Sequence, residues 1–226
     1  MGKYFKETSC IIPFYNEGRT LLDILEKLQK VKSLLQIICV DDGSVNFTYQ
    51  EIKNRFPLIT LVKNKNNIGK AGAIREGLNR ASAEHILLLD ADIEGVNVED
   101  IENAINTFQN SNIDMLILRK SHSPFFFKIT GFDILISGLR IIKRADLKNV
   151  FKYPVRGYQI EFAINRFMQK YNKKVLWTYC SGKNTLKIHK FGLVKGLEKE
   201  ARMFIEIFSY IDPINLIRQY RGLKKI

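Results

Sequence analysis

The acidic residues that could do chemistry fall in three tight groups, each closing an apolar run. Pro13-Phe14-Tyr15-Asn16-Glu17 ends the run from Thr8, Asp41-Asp42-Gly43-Ser44 ends the run Gln36 to Val40, and Asp90-Ala91-Asp92 ends the run His85 to Leu89. Glu94 lies two residues beyond Asp92. Carboxylates one residue apart can share a hard divalent cation such as Mg2+ or Mn2+ through oxygen ligands. A lone Asp-x-Asp triplet is more often a turn rich in helix-capping acids. Three groups gathered on one edge are different, because their carboxylates repel unless a cation or the donors of a ligand offset them. Acids plus a cation suit the metal-assisted departure of a diphosphate. The chain has no Walker-type phosphate loop, no Gly-x-Gly-x-x-Gly and no Gly-x-Ser-x-Gly elbow. Phosphate-loop hydrolysis, hydride transfer on a dinucleotide and serine-hydrolase chemistry are therefore unsupported. His85, His122 and His189 lack ligand spacing.

The elements that must position these groups follow from periodicity. Thr8 to Phe14, Gln36 to Val40, Leu58 to Val62, His85 to Leu89 and Asp114 to Leu118 are short apolar runs of strand length. Between them, Leu21, Ile24, Leu25, Leu28 and Val31 form a helical stripe, as do Ala73, Ile74, Gly77, Leu78 and Ala81. Asn97 reads as an N-cap before Ile101, Ala104, Ile105 and Phe108, with Glu99 and Asp100 in the first turn. Strands alternating with helices predict an α/β, mainly parallel sheet with helices on both faces. In such a sheet ligands bind beyond the carboxyl ends of the strands, which is where the acids fall. After Arg119 the alternation breaks down. Ile134 to Ile142 reads as strand, Tyr158 to Tyr171 as helix and Val175 to Tyr179 as a late strand. Leu193 to Ile211 carries an apolar stripe stopped by Pro213, and a short basic amphipathic segment runs on to Ile226.

With 226 residues, 46% of them hydrophobic and 26% charged, the chain has the composition of one ordinary globular domain. Its formal charge of +13 is unevenly spread: 13 basic against 16 acidic residues up to Leu118, then 23 against 7. An acidic first half does not suit a nucleic-acid surface, whereas a basic second half suits phosphate or anionic lipid. Cys10, Cys39 and Cys180 are odd in number and far apart, two of them in apolar runs, and read as buried thiols. No window approaches a membrane-spanning run; the best, Phe125 to Leu139, is broken by Lys128 and Asp133. The expectation is a soluble protein of the cytoplasm, or one peripheral on the cytoplasmic face of a membrane.

Four motifs in order carry a resemblance: Cys10 to Glu17, Val40-Asp41-Asp42-Gly43-Ser44, Asn67-Ile68-Gly69-Lys70-Ala71-Gly72 continuing to Gly77, and Leu89-Asp90-Ala91-Asp92. Together they resemble the signature of family 2 glycosyltransferases. Ser137-Gly138-Leu139-Arg140 and Gly157-Tyr158-Gln159-Ile160-Glu161 resemble the acceptor-side motifs of the branch that includes dolichyl-phosphate mannose synthase and other polyprenyl-phosphate glycosyltransferases. The resemblance implies a single GT-A domain over residues 1–190, with a nucleotide-binding half to about 118, an acceptor half to 190 and a helical tail from 191 to 226. It implies a nucleotide-diphosphate sugar as donor, Mg2+ or Mn2+ as cofactor, and a polyprenyl phosphate or cell-envelope glycan as acceptor. Pro13, Tyr15, Glu17 and Asp42 would surround base and ribose, Lys70 would lie near the donor, and Asp90 and Asp92 would hold ribose or sugar and the metal. Glu94 falls where that branch often has a metal-binding glutamine, and Arg119 falls where a basic residue faces phosphate.

Such enzymes invert, so the implied step is a single displacement in which an acceptor oxygen attacks the anomeric carbon as the nucleotide diphosphate leaves. The cation and nearby Lys or Arg stabilise the charge on that leaving group, and Asp92, Glu161 and Arg119 are the implied catalytic residues. A phosphate acceptor needs no base. A hydroxyl acceptor needs one, and Glu161 is the first candidate, Asp133 the second, although an acid in a first helical turn also simply complements the helix dipole. The tail, with Lys195, Lys199, Arg202 and Phe204, Ile205, Phe208, is expected to pack on the core, to pair with a second copy or to lie on anionic lipid. A sugar nucleotidyltransferase would want a Gly-rich basic loop after the first strand, which Pro13 to Glu17 is not. A non-catalytic binding module derived from a transferase is the alternative.

Overall fold

The computed structural model describes residues 7–121, 131–184 and 223–225. The helical tail expected over 191–226, with Lys195, Lys199, Arg202, Phe204, Ile205 and Phe208, therefore lies outside the described residues except for 223–225, where Lys224 and Lys225 form a strand and not a helix. His122 and His189 lie outside them too.

Strands β1 (Thr8–Phe14), β2 (Leu34–Asp41), β3 (Thr60–Lys63) and β4 (His85–Leu88) are separated by helices α1 (Arg19–Leu28), α2 (Thr48–Arg55) and α3 (Gly69–Arg80). A two-residue strand β5 (Ile93–Glu94), helix α4 (Val98–Asn110) and strand β6 (Met115–Lys120) follow. The remainder comprises α5 (Phe132–Leu135), β7 (Arg140–Lys143), α6 (Arg144–Val150), α7 (Ile160–Lys170), β8 (Val175–Cys180), β9 (Lys183–Asn184) and β10 (Lys224–Lys225). Among the described residues the main sheet runs β10-β8-β6-β7-β4-β1-β2-β3, and β5 pairs with β9 apart from it. All neighbours in the main sheet are parallel except β7, which is antiparallel to both β4 and β6.

Alternate strand residues feed two cores, as a sheet covered on both faces requires. Cys10, Ile12, Cys39, Leu116 and Leu118 pack with the buried stripes of α1 and α4. Ile11, Ile38, Met115, Ile117 and Ile142 pack with α3, α6 and α7. Gly77 of α3 presses on Ile11, where an added Cβ would lie 2.5 Å from its Cγ2. All three cysteines are buried free thiols, and desolvation pushes Cys180 up to about 12. His85 is structural: its ring meets Phe108 edge-on at 5.0 Å, and burial lowers its pKa despite nearby Glu7 and Glu84.

Several segments differ from expectation. Ile134 to Ile142 is not one strand: α5 occupies Phe132–Leu135 and pairing begins only at Arg140. The Ser137 hydroxyl takes over the turn between them, donating to Leu118 O at 2.8 Å, a side-chain bond that competes with a ladder. Helix α2 was not legible, because only Thr48 and Ile52 of its eight residues are buried and it has no stripe to detect.

Candidate active site

The parallel order brings the carboxyl ends of β1, β2 and β4 side by side, and antiparallel β7 delivers its N-terminal end, Arg140, to the same edge. At the end of β2, Asp42 spends both oxygens on the loop that leads into α3. Oδ1 accepts from Asn64 Nδ2 at 2.9 Å and from the Ile68 amide at 3.0 Å, while Oδ2 accepts from the Gly69 amide at 2.8 Å. These amides open α3 and have no partner within the helix, so Asp42 fixes where α3 begins. Gly43 turns at φ 80°, and an added Cβ would lie 2.9 Å from the Asn66 carbonyl carbon, so this turn admits only glycine.

That start places Lys70 in the cleft. Its Nζ lies 2.5 Å from Asp90 Oδ1 and 2.6 Å from Glu161 Oε1, joining the end of β4 to the first turn of α7. Lys120 Nζ approaches Asp90 Oδ2 at 3.7 Å, and Arg140 lies beneath, fully buried. Burial works against an ionised Asp90, but Lys70, then Lys120 and Arg140, outweigh it and hold the carboxyl at about 2. Burial likewise opposes the Lys70 ammonium, yet Asp90 and Glu161 hold its pKa well above the usual lysine range. Desolvation pulls Arg140 down to about 10, with Glu161 and Asp90 acting the other way, so it stays charged at neutral pH. Three cations thus face two carboxylates, an excess of positive charge suited to an anionic ligand.

Gly138 closes the floor. Any side chain there would run into the Asp90 carboxylate. Pro13, Ile74, Leu88 and Ile160 complete a cleft with essentially no free volume around Lys70.

Of the residues singled out from sequence, Pro13, Lys70, Asp90 and Glu161 meet in this cleft. Tyr15 and Glu17 belong to the turn after β1, Tyr15 exposed and Glu17 half-buried. Glu17 O accepts from Asn46 Nδ2 at 2.7 Å and from the Thr48 hydroxyl, which ties this turn to the loop after β2. Asp92 and Glu94 follow Asp90, both half-buried, with Glu94 in β5 opposite Lys183. Among the described residues no three His, Cys, Asp or Glu side chains converge as a metal cage. The donors are nonetheless hard oxygens of the right kind, and a cation such as Mg2+ commonly takes only one or two carboxylates and completes its shell with water and substrate phosphate. The acid group fits a metal in that partial sense.

Arg119 stands elsewhere. Its guanidinium makes a two-pronged bond to Asp133, Nε to Oδ2 at 2.8 Å and a terminal nitrogen to Oδ1 at 3.2 Å, and lies 5.2 Å from the Trp177 ring and 5.7 Å from that of Tyr179. Lys120, Gly138 and Arg140 are site residues that the sequence did not single out by role; the signal for the last two was the Ser137 to Arg140 motif.

A family profile described as "Glycosyl transferase family 2" matches residues 9–184. The chain belongs to that family. Among curated relatives of this family 2 chain, human dolichyl-phosphate beta-glucosyltransferase is 37% identical over 123 residues, 46% of this chain and 37% of that enzyme. The yeast enzyme of the same name is 29% identical over 171 residues, 69% of this chain and 50% of its own length. The chain therefore spans half or less of the length of these two relatives. A solved mannosyltransferase of Pyrobaculum calidifontis, in complex with GDP-Man and Mn2+, superposes with a TM-score of 0.68 at 17% identity, over 96% of this chain and 74% of that one. Glucosyl-3-phosphoglycerate synthase of Mycobacterium tuberculosis, in complex with Mn2+, UDP-Glc and phosphoglyceric acid, reaches 0.74 at 13% identity, over 96% and 80%. At such identities the likeness is one of fold, and the fold is GT-A.

Proposed function

We propose that this family 2 chain is a glycosyltransferase that moves a sugar, with inversion, from a nucleoside-diphosphate sugar to polyprenyl phosphate. The observation that carries the reading is the cleft in which Lys70 spans Asp90 and Glu161 above buried Arg140, at the strand ends where an α/β sheet binds its ligands. The solved neighbours bound to Mn2+ with UDP-Glc or GDP-Man support the donor class and the metal. The dolichyl-phosphate enzymes support a lipid-phosphate acceptor. A metal would draw one or two carboxylate ligands from among Asp90, Asp92 and Glu94 and, when bound, would supply positive charge to the departing diphosphate. Pro13, Tyr15, Glu17 and Asp42 would bound the pocket for base and ribose.

The chain's own residues do the rest. Lys70 and Lys120 set fixed positive charge where the leaving group becomes more anionic, in a site already organised before reaction. An acceptor phosphate oxygen is anionic at neutral pH and attacks without a base, so in this reaction Glu161 positions Lys70. Arg119 is committed to Asp133; its part is to set the wall of the acceptor half.

A second reading is favoured by one observation, the buried carboxylate of Glu161 beside the cleft. With a sugar hydroxyl as acceptor, Glu161 takes the proton as general base. Transfer from radiolabelled UDP-glucose or GDP-mannose to polyprenyl phosphate, with Mn2+, tests the proposal, and Glu161→Gln separates the two acceptors. With polyprenyl phosphate the variant keeps activity within about tenfold, whereas loss of a general base costs about 10²–10⁴-fold. No transfer to the lipid phosphate from either donor overturns the reading.

A further inference from the structure

Arg140 is the largest fully buried side chain among the described residues, and its five guanidinium contacts all go to neutral oxygens. Nε donates to Ser137 O at 2.9 Å. One terminal nitrogen donates to Asn165 Oδ1 at 3.0 Å and Glu161 O at 3.4 Å, the other to Leu135 O at 3.3 Å and again to Ser137 O. Asn165 is itself oriented, its Nδ2 donating to Leu135 O at 3.1 Å. Among the described residues no carboxylate lies within ion-pair distance of Arg140. The nearest acids, Asp90 and Glu161, are already claimed by Lys70 at contact distance.

A buried cation without a contact counter-ion is costly, and folding alone gives no reason to keep one where an apolar residue fits. Of the segments that hold it, α7 lines the cleft through Ile160, Glu161 and Ile164, and the Leu135–Ser137 turn leads directly into Gly138 of the cleft floor. We propose that Arg140 is a positioning residue for glycosyl transfer: its charge, locked beneath the donor cleft, is set against the second phosphate of the donor and the diphosphate released from it. The inference rests on the donor reading above and adds a residue that acts through the field and through the shape of the floor, without touching substrate. Guanidinium geometry fixes the floor, and the surplus positive charge favours two phosphates over one.

The test compares affinities for UDP and UMP, and for GDP and GMP, by titration calorimetry in EDTA, on the wild type, Arg140→Met and Arg140→Lys. Thermal unfolding without ligand checks that each is folded. The wild type is expected to bind the diphosphate at least about tenfold more tightly than the monophosphate. Arg140→Met should bring that ratio down to about threefold or less, and Arg140→Lys, which keeps the charge and loses the fork, should restore most of it. A residue that merely fills space would leave the ratio unchanged while lowering stability. An unchanged ratio in folded Arg140→Met overturns the inference with the donor site intact. If the methionine variant does not fold, a lysine variant with the collapsed ratio, or a wild type that does not prefer the diphosphate, overturns it equally. Failure of the wild type to bind any of the four nucleotides, with or without Mn2+, strikes the donor reading instead, and this inference falls with it.

Discussion

Replacing Lys70 by methionine keeps the length of the side chain and removes an ammonium that joins the segment after β4 to α7. Asp90 and Glu161 would then face each other with side-chain exposures of 17% and 7%, answered among the described residues by Lys120, 3.7 Å from Asp90, and by Arg140. Two routes bound the cost. Removing one partner of a buried ion pair costs about 3–5 kcal/mol. The drop in the Asp90 pKa from 3.8 to about 2 is net of burial and shared by Lys70, Lys120 and Arg140; it corresponds to about 2 kcal/mol at neutral pH, with Lys70 the largest favourable contributor. A loss of about 3 kcal/mol lowers the melting temperature of a chain this size by about 6–12 °C. The sign with pH follows from the direction of each shift. Asp90 is depressed in the folded state, so its contribution is full above about pH 4 and is lost as pH falls through about 2. Lys70 is raised, so its contribution is full through neutral pH and fades only on the alkaline side of the ordinary lysine range. Calorimetric or fluorescence melting from pH 7 down to pH 2 should show the wild type losing this increment and Lys70→Met already lacking it. Adding Asp90→Asn to Lys70→Met should recover part of the loss, as a double-mutant cycle measures. A melting temperature within 2 °C of wild type, or the same acid dependence in both proteins, refutes the argument.

Two further predictions concern the walls of the site. Gly138→Ala pushes a methyl group into the Asp90 carboxylate; it should weaken nucleotide binding in calorimetry by tenfold or more while costing about 1–3 kcal/mol of stability, the usual scale of overpacking. Arg119→Met leaves Asp133 buried without its partner and should cost about 3–5 kcal/mol by denaturant unfolding, most of it recovered when Asp133→Leu is added. Equal losses in the single and double variants would show that the pair is not the source.

The strand-end acids were legible because a buried parallel strand is a short apolar run and its ligand-bearing end must be polar. Hence β1, β4 and the placement of Asp42 and Asp90 could be read within a residue or two from Thr8 to Asp92. Helices α1, α3, α4 and α7 were legible because each buries one stripe against the sheet. Helix α6 was not, being only seven residues long, and the Ser137 turn was misread as strand because its side-chain hydrogen bond does not alter the apolar pattern.

What the sequence determined by itself is the alternation of elements, the edge on which the acids gather and the family motifs, since these depend on local periodicity and residue type. What only the tertiary structure decided is which charges meet. Lys70 and Glu161 are 91 residues apart in the chain, and their contact exists because antiparallel β7 and the helices after it return α7 to the end of β4. Arg119 pairs with Asp133, while Arg140, known from the sequence only as part of a motif, became the buried floor of the cleft. Electrostatic pairing depends on distances of a few ångströms between groups remote in sequence, and those distances are set only when the sheet order is complete.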